Sequence, residues 1–187
     1  GQVGPKIQAQ LEQELADGIR ANIGELKAID DMWLWNVLAK KQADTIRGQF
    51  YFQIKDYKTA APYLEKAIIT EPIMAAMQMV IYYKQKETAK LEKAFQKGVL
   101  RFRYEKGLLL YALYGWILVK EHNYEQAMKI MNEAKSKMDN PVIAANAAAL
   151  ANNKPQLFNN SQLGDQWYAL GLEMPAPQRI NPRHARF

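Results

Sequence analysis

The stretch KDYKTAAPYLEKAIITEP, Lys55 to Pro72, decides the fold. It reads as a helix that follows a turn near Tyr57 and ends before Pro72, with Ala60 and Ala67 seven residues apart. Seven residues are close to two helical turns, so both alanines share a face. A buried face gains more from Leu, which removes more apolar area from water. Small residues there meet a different need. The separation of packed helices, ~8–10 Å, depends on the side chains at the crossing, so Ala brings a neighbour closer.

The pattern recurs. GQFYFQIKDYKTAAPYLEKA from Gly48 aligns with GWILVKEHNYEQAMKIMNEA from Gly115. Gly48 meets Gly115, Asp56 meets Asn123, Tyr57 meets Tyr124, Ala60 meets Ala127, Leu64 meets Met131 and Ala67 meets Ala134, each 67 residues apart. That offset is close to two periods of about 34, the length of one helix–turn–helix repeat.

Gly48, Tyr51, Tyr57, Ala60, Ala67 and Pro72 together resemble the tetratricopeptide repeat family. The likeness lies in a small residue in helix A, a Tyr after a tight turn, two Ala seven apart in helix B, and Pro at the exit. The third repeat departs from it, with Leu118 in place of the helix A aromatic and Pro141 two residues late. The middle repeat is degenerate: Tyr82, Leu91, Phe95 and Gly98 fall near the expected places, but Met79 stands where helix A needs a small residue. The resemblance covers about Lys41 to Pro141. It implies an all-α solenoid of antiparallel helix pairs in about three repeats (41–72, 73–107, 108–141). An N-terminal helix and lead-in (1–40) precede them, capping helices (142–174) close the stack, and a basic flexible tail (175–187) follows. Gly48 facing Ala60 lets helices A and B approach, and Ala67 does the same for the next helix A. Pro62 is expected early in helix B, where a missing N–H matters least.

Elsewhere no strand alternation is sustained. Ile7, Leu11, Leu15, Ile19, Ile23 and Leu26 give an amphipathic helix within Pro5–Ile29. Asp30 and Asp31 can cap a helix that begins at Met32 with Trp33 and Trp35 and leads into the first repeat. Asn140–Pro141 starts the Ala-rich VIAANAAALANN by cap and first-turn Pro, and Lys154–Pro155 stops it. SQLGDQWYALGLE from Ser161 predicts a last helix covering the end of the stack. After Met174 come three Pro in PAPQRINPRHARF with no apolar period, which reads as loop.

The chain has 187 residues, 49% hydrophobic and 24% charged, which suits one domain with an adequate core. Cysteine is absent, so disulfides, thiol chemistry and thiolate metal sites are excluded, while the compartment stays open. No apolar run reaches the ~18 residues of a membrane span, and no signal-peptide pattern is visible. The chain starts at Gly1, which leaves an upstream anchor or signal open, and with it cytoplasmic, periplasmic or membrane-tethered placement. Of the net charge of +6, the segment Lys84–Lys106 carries +5 and Pro175–Phe187 carries +3, leaving −2 for the remainder. Basicity therefore belongs to two segments.

Catalytic patterns are lacking. His122 and His184 have no second ligand at helical spacing. Ser136 and Ser161 lie in no strand–turn–helix elbow, and Gly98 and Gly107 are isolated. No catalytic residue, metal, cofactor or small-molecule substrate is expected. The reading is a non-catalytic protein–protein interaction module, an adaptor or assembly scaffold. The alternative is a nucleic-acid-binding repeat protein.

Two constellations carry these readings. The resemblance implies a concave face made by the A helices: Gln49, Phe52 and Gln53, then Val80, Tyr83 and Lys84, then Trp116, Val119 and Lys120. Aromatics with polar flanks suit a peptide groove. The same aromatics would equally pack between repeats or beneath the C-terminal helix. The Lys/Asn clamp with which family members hold a C-terminal carboxylate is not evident. The second constellation is a basic stripe, Lys86, Lys90, Lys93, Lys97 and Arg101, on one face of helix B of the middle repeat, with Leu91, Phe95, Gly98 and Phe102 opposite. It is either a solvated face or a dock for an anionic partner: an acidic protein, anionic lipid or nucleic acid.

Overall fold

A tight turn after each A helix organises the chain. The computed structural model describes residues 13–21 and 36–175, and all regular structure within them is helical. Helix α1 covers 13–21. The A helices are α2 (Asn36–Gln53), α4 (Pro72–Lys84), α6 (Leu108–Lys120) and α8 (Pro141–Ala151). The B helices are α3 (Tyr57–Lys66), α5 (Thr88–Arg101) and α7 (Tyr124–Lys137). A short α9 (Asp165–Tyr168) follows. Outside the described residues lie the ends of the N-terminal stripe, the Asp30–Asp31 cap with Met32, Trp33 and Trp35, and the tail from position 176 with His184.

Each A helix ends the same way. Lys55, Lys86, His122 and Asn153 have φ of 61°, 59°, 59° and 53°. Their N–H groups donate to the carbonyls of Phe52, Tyr83, Val119 and Leu150 at 2.9–3.1 Å. The next N–H, of Asp56, Glu87, Asn123 and Lys154, reaches back to Tyr51, Tyr82, Leu118 and Ala149 at 2.8–2.9 Å. This is the Schellman closure, made here by residues other than the usual Gly. In the first and third pairs the following residue caps helix B through its side chain, while Glu87 in the middle pair makes no such bond. Asp56 accepts from the N–H of Thr59 and Asn123 from that of Gln126, which satisfies donors left free in the first turn. Lys55 and His122 are 67 residues apart, as are Lys86 and Asn153. The structure thus repeats at the sequence offset, and α8 ends like the A helices before it. Pro155 then allows only a single 3₁₀ turn, Pro155–Leu157, where a helix B would run.

A three-residue turn forces the joined helices side by side and antiparallel, so positions equidistant from the cap oppose each other. A Cβ built on Gly48 would lie 2.7 Å from Leu64 Cγ, and one on Gly115 would lie 2.5 Å from Met131 Cε. Ala60 and Ala127 are fully buried, as are Leu64 and Met131. The middle pair uses large residues at the same places: Met79 for Gly, Leu91 for Ala60 and Phe95 for Leu64, all buried. Gly98 takes the place of Ala67 and Ala134, and its Cα faces Leu110 of α6 so closely that a Cβ would meet Cδ1 at 2.7 Å. Helix α6, LLLYALYGWILVK, is apolar on every side and forms the centre of the core.

Three expectations are corrected. Pro62 is the sixth residue of α3, past the first turn, so the helix loses an internal bond. Helix α3 has 10 residues where α5 and α7 have 14, and Ala67 is its half-buried C-cap in extended conformation (φ −64°, ψ 149°). Its partner position, Ala134, is fully buried inside α7. The last expected helix from Ser161 is broken by Gly164 (φ 63°) and Gly171 (φ 66°), conformations that favour glycine, leaving a four-residue α9.

We expect Ala60→Leu and Ala127→Leu each to cost about 1–3 kcal/mol by overpacking, which for a chain of this size lowers Tm by roughly 2–4 °C per kcal/mol. Gly48→Ala should lower Tm more than Gly115→Ala in the same calorimetric series. The added Cβ meets the branch point of Leu64 in the first case; in the second its nearest atom is the flexible end of Met131, with the Phe158 ring edge at 3.0 Å. The reverse order would contradict this account of the interhelix approach.

Candidate functional site

The face formed by the A helices is occupied by the chain's own C-terminal segment. Trp116 is only 7% exposed. Its ring meets Trp167 edge-on at 5.7 Å and Tyr83 at 6.0 Å. The Nε1–H groups of Trp116 and Trp167 donate to the two carboxylate oxygens of Glu173, each at 2.8 Å. One carboxylate therefore ties the segment after α9 to α6. Trp167 and Leu170 are fully buried beneath it. A second polar tie lies at the start of this segment. Asn160 donates to the Ala112 carbonyl and accepts from Asn146, while Asn146 also accepts from the N–H of Asn159. Asn146 stands in α8 where Gly48 and Gly115 stand in α2 and α6, eight residues before the turn's last residue, and is itself buried. Its polar side chain anchors the returning strand of chain.

The expected groove residues therefore divide. Phe52 is buried against Tyr57, ring to ring at 5.4 Å, and Val80 and Trp116 are buried. Gln49, Tyr83 and Val119 are half-buried, and Gln53, Lys84 and Lys120 are exposed. The Lys120 ammonium lies 5.1 Å from the Trp116 ring centre, and the Lys84 ammonium 5.8 Å from that of Tyr83. Burial raises the phenol pKa of Tyr57, and that of Tyr83 with help from the Glu121 charge. The face is thus closed in this conformation. Glu173, Asn146 and Asn160 escaped the sequence reading; a lone Asn inside an Ala-rich helix was the visible signal for one of them.

The other side of the molecule is open. Helix α3 stops a turn early, so a groove of about 850 Å³ opens beside α5. Its floor is apolar: Ala75, Ala94, Gly98 and Phe102. The side chain of Gln78, from α4, donates to the Leu64 carbonyl, which also accepts from the N–H of the C-cap Ala67 at 3.3 Å. Along one rim run Lys90, Lys93, Lys97 and Arg101, and Glu65 stands on the other. Lys86, expected to head this stripe, lies instead in the left-handed turn before α5. Lys90 pairs with Glu87 at 2.6 Å and Glu65 at 3.4 Å, and it lies 5.7 Å from the Tyr82 ring centre. The Glu87 hydrogen bond, helped by Glu65, holds the Lys90 ammonium above its usual pKa, while desolvation opposes it. Burial raises Tyr82, and the Glu65 charge adds to it. Among the described residues no carboxylate pairs with Lys93, Lys97 or Arg101, all of which are exposed.

Among the described residues no three His, Asp or Glu side chains come together to hold a metal ion, and no helix is long and apolar enough to cross a membrane. His122 Nδ1 contacts the Tyr124 hydroxyl at 2.7 Å, and the Ser136 hydroxyl donates to the Glu133 carbonyl. Comparison with protein-family models, with curated proteins and with solved structures finds no match.

Glu173→Ala should strip two buried indole N–H groups of their acceptor. A hydrogen bond to a charged group contributes about 1.5–3 kcal/mol, and a loss of at least 2 kcal/mol is expected on chemical denaturation. Tryptophan emission should shift to the red as the segment loosens. Unchanged stability and emission would mean that the two Trp–Glu173 bonds do not hold the segment in place.

Proposed function

We propose that the chain is a helical-repeat solenoid of the tetratricopeptide kind, serving as a non-catalytic interaction module in an adaptor or assembly scaffold. The recurring turn and the two glycine-centred helix pairs support the solenoid reading. The observation that carries the function is the open groove between α3 and α5, with an apolar floor and a rail in which, among the described residues, Lys93, Lys97 and Arg101 have no carboxylate partner. An apolar floor recognises side chains of a protein, and the rail selects a partner with acidic groups. The A-helix face, filled by the chain's own Trp167 and Leu170, serves stability in this conformation.

A photo-crosslinking residue at Lys97 tests this in native cells. One dominant protein adduct is expected there, and none from the same residue at Lys129, an exposed position on α7. A nucleic-acid adduct, accompanied by the steep salt dependence of phosphate contacts, would favour the nucleic-acid reading instead. Equal labelling from both positions would remove the groove as the docking surface. Reversing Lys93 and Lys97 to Glu should slow partner association and flatten its salt dependence without changing Tm, because both side chains face solvent.

A further inference from the structure

We propose that the α3–α5 groove receives an acidic amphipathic helix of a partner protein, seated lengthwise along α5 with its apolar stripe on the floor and a row of carboxylates against Lys93, Lys97 and Arg101. The inference rests on the groove being a protein docking surface, and it names the kind of element that fills it. Two rows on α5 motivate it. Ala94, Gly98 and Phe102 line the floor and Lys93, Lys97 and Arg101 the rim, each cation one residue ahead of a floor residue. Successive residues of a helix are turned by about 100°, so floor and rim are adjacent walls rather than opposite faces. The Arg101 guanidinium lies 5.8 Å from the Phe102 ring centre, where the two rows meet. The three cations are exposed and have no carboxylate partner among the described residues.

The charge of the rim sets the sign of the occupant, since Lys84–Lys106 carries a net +5. The angle between the rows sets its backbone. In an extended strand successive side chains point to opposite faces. A strand with apolar residues on the floor would therefore send the others to solvent, away from the rim. A helix presents neighbouring rows about 100° apart, as α5 does, and so meets both walls at once. Both rows on α5 repeat every turn, ~6 Å, and a helix lying along them matches that pitch with acidic residues four apart. The small floor residues Ala94 and Gly98 let its axis come close and leave room for larger apolar side chains. Lys90 bonds across the groove to Glu65 at 3.4 Å and closes one end. The open part, from Lys93 to Arg101, is ~12 Å long and holds about two turns of the partner. So short a contact buries less than the ~1,600 Å² of a standard interface, and charge steering supplies much of its specificity.

The experiment is fluorescence anisotropy of labelled synthetic peptides with the full chain, at low and moderate salt. The probe is a peptide of about four helical turns with Leu along one stripe and Glu along its flank. One control replaces every Glu by Gln, and a second carries Pro in the middle, which breaks the helix. The Glu peptide should bind wild type, and both controls should bind roughly tenfold or more weakly. Lys93→Glu with Lys97→Glu should weaken the Glu peptide by a similar factor and flatten its salt dependence. Ala94→Leu fills the floor without changing charge; it should weaken binding and leave the salt dependence as it was. Circular dichroism checks that both variants keep their helix content. Equal binding of the Pro peptide, unchanged binding to both variants, or no binding to wild type overturns the proposal. So does a chain that binds duplex DNA or phosphatidylserine vesicles through these cations but not the peptide. A mass that rises with concentration, and no longer does so on charge reversal, would assign the groove to a second copy and overturn it as well. If the peptide fails while Lys97 still crosslinks to another protein, this inference falls and the interaction-module reading stands. If both fail, so does that reading.

Discussion

The three-residue turn between each A helix and its B helix is the constraint on which the other features depend. The turn leaves its helix through one left-handed residue and enters the next through a cap, with no slack between them. Residues at equal distance on either side must therefore meet, whatever their size. Leu64 is accommodated because Gly48 opposes it, and Met131 because Gly115 does. The middle pair keeps the turn but sets Met79, Leu91 and Phe95 at the meeting points, so its helices must accommodate three large buried side chains. The B-to-A connections vary instead: five residues after α3, six after α5 and three after α7. Together with helices of unequal length they place the turns 31, 36 and 31 residues apart, and two successive steps sum to 67.

That arithmetic explains what the sequence could show. Gly48, Ala60 and Leu64 match Gly115, Ala127 and Met131 without a gap because each trio spans the same three-residue turn, with one whole pair, α4–α5, between the two. The helix-pair architecture and the start of α8 at Pro141, capped by Asn140, were legible from such local rules. The path of the chain after Asn159 was not. Its course depends on Glu173 meeting two indoles, one of them 57 residues earlier in the chain, and no local pattern reports such a pairing. The break at Gly164 and Gly171 was hidden for a related reason. The apolar spacing around Trp167 suits a helix, and only the two left-handed glycines show that it is not continued. The candidate groove was half legible: the rail showed in the spacing of Lys93, Lys97 and Arg101, while the opening beside it depends on where α3 stops.

The two sides of the molecule thus divide their work according to helix length. On the A side the four helices offer aromatic and aliphatic side chains, and the returning segment covers them with Trp167 and Leu170. On the B side, α5 and α7 run a turn further than α3. Ala67 ends in an extended conformation where Ala134 is still helical, and Gly98 contributes no side chain to fill the gap. A small residue at this one position has different consequences in each pair. It packs inside the core in the third, brings α5 against α6 in the second, and lines an open groove in the first.

Within the basic stripe, position along α5 decides the role of each cation. Lys90 sits at the N-terminal end, where Glu87 and Glu65 both reach it, and its ammonium lies 5.7 Å from the Tyr82 ring centre. It is already engaged and closes that end of the groove. Lys93, Lys97 and Arg101 follow at one-turn intervals with no such partners among the described residues. Like charges at this spacing disfavour the helix by a few tenths of a kcal/mol per pair. The amount is small, and Phe95 and Leu91 on the buried face outweigh it, since burying a large apolar side chain contributes about 1.5–3 kcal/mol. The core thus holds the helix while its outer face keeps Lys93, Lys97 and Arg101 without a carboxylate partner among the described residues. Neighbouring charges stand roughly 6 Å apart along α5, less than the Debye length of about 8 Å at physiological salt, so an approaching acidic surface meets adjacent charges together.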